Sequence, residues 1–421
     1  MKIKSIIAML LVFGVFFNTT AVLAQRGTKT VKVDKERFAL NVRLGFAGKV
    51  KGFQALLLKN GQIVAETAGG EARTKIDGQA DMTVNTPSNI GSTAKFFAGT
   101  ALLKLLSSPK GEINPTGRPL ESWLDEEVYY NLPLIWRANI DASWKQVTFR
   151  QLLQHKSGVR GLTAKDKEGF EANGYRQNSP FIYFLKPIKE ADRNVRLYQN
   201  FNFTILTYLI PLIANPSLRE TLDEEIKAKK LKVDDLYITQ RLGNEFEKYM
   251  RANLFGKITP KINPSCDAPN EYPKQNKTYA MAYDSVSDTN TGFEYSERVT
   301  NGSCHAQGGW YVSVRELGAF VANFAATETL VSSDTKAIMI DDNDASNNLV
   351  WSTTYPPNTW IAKNFGADRM PAMDGLQEGS RSVLIKMPNN FYALAIVNSK
   401  DMQPWQLAKV LLDSFSNAAS L

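Results

Sequence analysis

Ser92-Thr93-Ala94-Lys95 sets a hydroxyl three residues ahead of an amine, at the head of the run NIGSTAKFFAGTALLKLL, Asn89 to Leu106. On a helix, positions i and i+3 share a face, so the Lys95 amine is predicted to lie beside the Ser92 hydroxyl. A helix N-terminus favours negative charge developing there. A desolvated lysine gives up its proton more readily and can then take the serine's, activating an otherwise weak nucleophile. Ser-x-x-Lys occurs twice more, as Ser107/Lys110 and Ser333/Lys336. Pro109 spoils the first of these as a helix. The second sits in SSDTKAIMI, an ordinary capped helix start. Only Ser92/Lys95 leads a helix that is apolar all round, which implies burial.

Tyr198 and Asn200, in RLYQNFNFTILTYLI, stand at i and i+2. In an extended or loop segment they point the same way. A phenol held near a lysine suits general acid or base work, and an asparagine amide suits a substrate carbonyl. The triplet recurs as Tyr129-Tyr130-Asn131, so it is weak alone. The only histidines are His155 and His305, and the only cysteines Cys266 and Cys304, a poor inventory for a metal site.

The elements that must position these groups are legible in outline. GFQALLLKNGQIVAETAGG reads as two strands turning at Asn60-Gly61. SRSVLIKMPNNFYALAIVNS repeats the pattern around Pro388-Asn389-Asn390. MQPWQLAKVLLDSFSNA follows as a helix opened by Pro404. Between the hairpins lies a long, mainly helical middle, including TFRQLLQHKSG, NFTILTYLIPLIA and EFEKYMRANLF. Strands at both ends with helices between predict one sheet completed by both termini and a helical insertion. The Asn-rich, turn-rich stretch from Cys266 to Cys304 reads as a long surface excursion.

The chain has 421 residues, 43% apolar and 22% charged, an ordinary globular composition. MKIK followed by an uncharged apolar run from Ser5 to Phe17 and small residues up to Ala24 predicts a secretory signal over 1–24. Thirteen apolar residues are too few for a confident membrane span, and no later stretch qualifies, so no integral segment is expected after cleavage. Periplasmic or secreted localisation follows, and in an oxidising compartment Cys266 and Cys304 are candidates for a disulfide. The formal charge of +8 falls to a small excess once Lys2 and Lys4 are removed. Basic and acidic residues are interspersed, as in ETLDEEIKAKKLKVDD, which argues against a nucleic-acid partner.

With these segments in order, the chain resembles the class C-like branch of the serine β-lactamase and penicillin-binding-protein superfamily, which includes D-alanyl-D-alanine carboxypeptidases and esterases. NTPSNIGSTAKFFAGTALLKLL is similar to the family's nucleophile helix, VTFRQLLQHKSGV to its Leu-Leu/His/Ser-Gly segment, and YQNFNFTILTYLI to its Tyr-Ser-Asn stretch. GGWYVSVRELGAF resembles its Gly-Gly turn and following helix, and EGSRSVLIKMPNNFYALAIVNS its closing strands. The resemblance implies an α+β, β-lactamase/transpeptidase-like fold. Its antiparallel sheet would come from N- and C-terminal strands flanked by helices (25–100 and 305–421), with a mainly helical region (101–304) inserted. It also implies a cofactor-free acyl-enzyme hydrolase of a small-molecule or peptide ester or amide, such as a carboxylesterase, D-amino peptidase or β-lactamase-like enzyme. Ser92 would be the nucleophile, Lys95 and Tyr198 the proton carriers, and Asn200 the holder of the acyl amide. His155 then reads as structural, bracing a helix end, and His305 as a loop residue, with a role at the site rim as the alternative, leaving little room for a Ser-His-Asp triad.

The family's third element, Lys or His before x-Gly on a strand, falls by position on Met373-Asp374-Gly375. Methionine supplies no cation. The oxyanion hole would survive, because it uses the backbone N–H groups of Ser92 and Leu376. Recognition of a carboxylate-bearing substrate would not, and Asp374 adds negative charge. Lys156-Ser157-Gly158 matches Lys-Ser-Gly in letters but precedes Tyr198, out of order. Two readings stay open: a hydrolase of uncharged substrates, and a weak or inactive ligand-binding homologue of the same fold.

Overall fold

The computed structural model describes residues 31–108, 117–341 and 344–421. The expected signal, 1–24, and Lys110 lie outside the described residues.

Seven antiparallel strands form the main sheet. In chain order they are β1 (Gly52–Lys59), β2 (Gln62–Arg73), β3 (Ala80–Asp81), β4 (Thr353–Tyr355), β5 (Met370–Gln377), β6 (Ser380–Met387) and β7 (Phe391–Val397). Their spatial order is β3-β2-β1-β7-β6-β5-β4. The N-terminal and C-terminal hairpins meet where β1 pairs with β7, Ala55 opposite Ala395. The turn between β1 and β2 has positive φ at both Asn60 (50°) and Gly61 (78°), a backbone these two residue types adopt at little cost and one whose twist suits a hairpin. The second hairpin turns through Pro388–Asn390, with positive φ at Asn389 and Asn390 (57° each).

The central strands are apolar on both faces, and the two-residue period sorts their side chains. Leu56, Leu58, Leu384, Leu394 and Ile396 join one core. Ala55, Leu57, Val383, Ile385, Ala393 and Ala395 join the other. The second core is covered by helices α1 (Lys35–Phe46) and α4 (Pro404–Ala418), which pack on each other. Asp34 caps the first of these, and Pro404 opens the second, where its missing N–H costs nothing.

The first core holds α2 (Lys95–Leu106) and α3 (Val314–Ala326). Every residue of α2 except Lys104 is buried. A fully buried Phe or Leu contributes about 1.5–3 kcal/mol through removal of apolar surface from water, and α2 carries Phe96, Phe97 and four leucines. Its Gly99 is required by close approach, since a Cβ there would stand 2.3 Å from a Val350 methyl. A capping box starts α3: the Ser313 hydroxyl accepts from Glu316 N–H at 3.2 Å, and Glu316 accepts from Ser313 N–H at 3.0 Å.

The stretch from Cys266 to Cys304 is a surface excursion, many of whose residues are exposed, but it is an ordered one. Cys266 is bonded to Cys304. Within it, Ala280 N–H donates to Pro87 O at 2.8 Å, Met281 N–H to Ala72 O at 3.0 Å and Tyr283 N–H to Asn398 O at 3.0 Å. Tyr272, Tyr279 and Tyr283 are buried. Long-range backbone pairing and tyrosine burial, neither visible as a period, hold it against the sheet.

Candidate active site

Ser92 occupies a single 3-10 turn, Gly91–Ala94, that runs directly into α2. Lys95 is therefore the first α-helical residue, and its side chain turns back across Ser92. Two glycines let the turn sit where it does. Gly91 has φ +50°, and a Cβ there would come within 2.9 Å of the Leu376 backbone. A Cβ on Gly375 would stand 1.9 Å from Ile90 O. β5 thus presses edge-on against the Ser92 turn. The Ser382 hydroxyl, donating to Ile90 O at 2.7 Å and 2.8 Å from the Thr93 hydroxyl, pins the turn to β6. The backbone of Leu376 consequently lies beside Ser92, while its side chain is exposed.

Lys95 is fully buried. Its Nζ donates to Ser92 Oγ at 2.8 Å, Asn200 Oδ1 at 2.9 Å and Gln307 O at 2.6 Å. Burial lowers its pKa to about 7, against the opposing pull of the Asp374 and Glu297 carboxylates. The three acceptors match the three protons of an ammonium. When one proton leaves, a lone pair must face one of them, and the amide oxygen and the backbone carbonyl have no hydrogen to donate in return. Only the Ser92 hydroxyl does. The coordination therefore directs proton exchange to Ser92.

Asn200 stands just before the short helix Phe201–Thr204, and Tyr198 precedes it in irregular chain. The Tyr198 ring centre is 5.2 Å from Lys95 Nζ. Although the tyrosine is 46% exposed overall, partial burial pushes its phenol up to about 12, with the Ser92 side chain, a hydrogen-bonding neighbour, pulling the other way. At neutral pH the phenol keeps its proton and is a donor.

His155 supplies what holds this segment. It ends the helix Phe149–Leu153 with a left-handed backbone, φ 57°. Its carbonyl accepts from Leu197 N–H at 2.8 Å. Its Nδ1 accepts from Gln199 N–H at 3.3 Å, and its ring lies 4.5 Å from the Tyr198 ring. Desolvation, with Lys95 and Arg196 nearby, lowers its pKa to about 3, so it stays neutral. Ser157 adds a second grip, donating to Asn202 Oδ1 at 2.6 Å. The Lys156-Ser157-Gly158 triplet thus braces the Tyr198 segment and is not the third element.

Met373 is fully buried in the core that holds α2, with Ser352 Oγ 3.9 Å from its sulfur. Asp374 accepts from the Tyr355 hydroxyl at 3.1 Å, and burial raises its pKa. Arg381 Nη1 donates to the carbonyls of Gln377 and Ser380, each at 2.7 Å. His305 lies in irregular chain, as expected of a loop residue, but is 4% exposed. The contact that sequence reasoning missed is Gln307 O. A backbone carbonyl carries no residue signature, and only its place before Gly308-Gly309 hinted at a tight turn there.

A buried lysine on a helix-head serine, with a phenol and an asparagine beside them on this fold, is an arrangement suited to serine acyl-enzyme chemistry. The chain matches the Beta-lactamase family model over residues 38–401 and belongs to that family. Solved structures with the same fold include a beta-lactamase from Sulfitobacter sp. EE-36 (14% identity, TM-score 0.59, 91% of this chain and 98% of that one). The octameric penicillin-binding protein homologue from Pyrococcus abyssi is similar at 16% identity and TM-score 0.57, over 91% of this chain and 78% of that one. FmtA from Staphylococcus aureus aligns at 12% identity and TM-score 0.58, over 91% and 90%. No curated protein matches the sequence. The family implies serine acyl-enzyme chemistry in general terms.

Proposed function

We propose that this protein is an exported serine hydrolase that acylates Ser92 with an ester or amide lacking a carboxylate at the reacting end. The observation that carries this reading is the Lys95 coordination: three acceptors, of which only Ser92 Oγ can return a proton. Neutral Lys95 takes the Ser92 proton as Oγ bonds to the substrate carbonyl carbon. The oxyanion is received by the Ser92 and Leu376 N–H groups. Tyr198 gives its proton to the leaving group and recovers one from the Lys95 ammonium. Water then attacks the acyl-enzyme by the same route in reverse. Asn200 offers its amide N–H to the acyl group. No cofactor or metal is required by these steps.

Met373 motivates the limit on substrate charge, since it places a thioether where a carboxylate-binding cation is expected. It equally motivates the rival reading of a binding protein without turnover. The test is covalent: full-length protein is treated with a fluorophosphonate and, separately, a penicillin, and intact mass is read. A fluorophosphonate adduct that Ser92→Ala abolishes supports the hydrolase. Absence of any adduct from either reagent removes it in favour of the rival.

A further inference from the structure

α1 buries Phe38, Val42 and Phe46 in the second core, and its outer side carries a further apolar stripe that the fold leaves uncovered. Leu40 and Leu44, one turn apart and so on one face, are 51% and 65% exposed. α4 crosses α1 so closely that a Cβ on Gly45 would stand 2.5 Å from a Val410 methyl. Beside that crossing the two helices part around a groove of about 760 Å³, whose lining includes Leu44, Lys49, Met402, Trp405 and Lys409. Trp405 is 56% exposed, and of the seven tryptophans no other is classed with the exposed residues. A smaller hollow of about 260 Å³ also has Trp405 in its wall, with Pro356 and Pro357.

The border of this stripe is basic. Lys32, Lys35, Arg37, Arg43 and Lys49 are exposed along residues 31–50, against Asp34 and Glu36. None of the five forms an ion pair among the described residues, whereas Lys409 on α4 is held by Asp413 at 2.5 Å. Unpaired cations can meet an anion without breaking an internal pair. Exposed leucines and an indole inside a cationic border match a lipid interface, where apolar groups and rings enter the acyl boundary and Lys and Arg stay among the phosphates. A second copy of the chain fits less well, because a two-fold interface here would set the same basic excess against itself.

We propose that α1 and the first turn of α4 form a docking face for a membrane surface with anionic phospholipid headgroups. Leu40, Leu44 and Trp405 enter the interface, and Arg37, Arg43 and Lys49 meet the phosphates. The face lies outside the second core, while Ser92 leads α2 in the first core, on the other side of the sheet. The docked protein therefore keeps Ser92 turned away from the bilayer. The inference stands apart from the Ser92 chemistry and adds to it a place at a lipid surface.

The experiment uses the chain as a host exports it, with the N-terminus read by intact mass. It is floated with vesicles of phosphatidylcholine alone and of phosphatidylcholine mixed with phosphatidylglycerol. Wild type is expected to bind the phosphatidylglycerol vesicles about tenfold or more tightly than the neutral ones, and to lose that binding as salt is raised. Lipids with brominated acyl chains should quench Trp405, read as the difference in fluorescence between wild type and Trp405→Phe. The double variants Leu40→Ser/Leu44→Ser and Arg37→Gln/Arg43→Gln should each weaken binding by about tenfold or more. All four positions are exposed, so the variants carry little folding risk, and thermal melts check it. The rate at which fluorophosphonate labels Ser92 should be the same with and without vesicles.

No binding to the phosphatidylglycerol vesicles would overturn the docking face. Equal binding to both vesicles, untouched by either double variant, assigns attachment to the N-terminal apolar run Ser5 to Phe17 and also overturns it. Binding weakened by the arginine variant alone, with no quenching of Trp405, is adsorption without insertion and counts against it in the same way. A dimer in sedimentation velocity that Leu40→Ser/Leu44→Ser dissolves gives the face to a second copy and ends the proposal. None of these outcomes depends on Ser92. A protein that takes no label can still dock, and a hydrolase that ignores vesicles loses only this inference.

Discussion

Lys95 Nζ lies 2.8 Å from Ser92 Oγ, and its other two acceptors, Asn200 Oδ1 and Gln307 O, cannot donate. The amine is held so that, of its three acceptors, only the Ser92 hydroxyl can exchange a proton with it. Burial brings its pKa to about 7, which places the exchange at working pH.

Activity should follow that titration. kcat/KM for a neutral ester is expected to rise with pH through about 7 and then level, because neutral Lys95 is the base. The Tyr198 phenol, at about 12, titrates too high to cut the plateau below pH 10. The Asp374 carboxylate raises the Lys95 pKa, so Asp374→Asn should move the midpoint to lower pH. A pH–rate profile of both proteins checks this, and a midpoint that rises in the variant contradicts it.

The same burial has a stability consequence with a definite sign. The folded pKa of Lys95, about 7, is below its unfolded value of 10.5, so between those limits the unfolded chain binds more protons and stability grows with pH. The penalty is complete below pH 7 and gone above 10.5. Lys95→Met removes it but strands two acceptors, so the readout is a difference between pH values. Relative to wild type, the variant's unfolding free energy should be about 2–3 kcal/mol more favourable at pH 6 than at pH 9. Urea denaturation at the two pH values measures it.

Tyr198→Phe removes the proton donor and is expected to lower kcat by about 10²–10⁴. His155→Leu should lower kcat less, by roughly tenfold, because it only loosens the Tyr198 segment. The midpoint near pH 7 should stay in place, since His155 is uncharged there. A midpoint displaced by His155→Leu would falsify its role as a purely positioning residue.

Met373 is a core residue, fully buried. Met373→Ala should cost about 2–5 kcal/mol through lost burial and the cavity left behind, read as a fall in denaturation midpoint. A cost under 1 kcal/mol would place the side chain in the open site instead.

Cys266 and Cys304 are separated by 38 residues. Cross-linking a loop of that length restrains the unfolded chain by roughly 3–4 kcal/mol in the chain-entropy description. The Cys266→Ser/Cys304→Ser double variant should lose stability of that order in denaturant titration, and wild type under strong reductant should approach it.

Local rules made much of this molecule readable in one dimension. The hairpin at Asn60-Gly61 and the Pro404 helix start each depend on residues within a few positions of one another, so spacing is enough to find them. The all-round apolarity of α2 announced its burial, and that made Ser92-x-x-Lys95 stand out from two decoys. The ordered segments gave the family. The Cys266–Cys304 stretch is largely surface, as its composition suggests, but its order comes from pairing with Ala72, Pro87 and Asn398, partners over a hundred residues away that no local pattern reveals.

Sequence alone determined which groups are available: a serine, a lysine at helical spacing, a tyrosine, an asparagine, and a methionine where a cation was expected. Residue identity and period encode those directly. Tertiary structure decided what the groups are worth. The Lys95 pKa is set by desolvation, the direction of its proton by a backbone oxygen at Gln307, and the hold on Tyr198 by His155. Electric fields and solvent exclusion depend on distances through space, and a linear order of residues does not contain those distances.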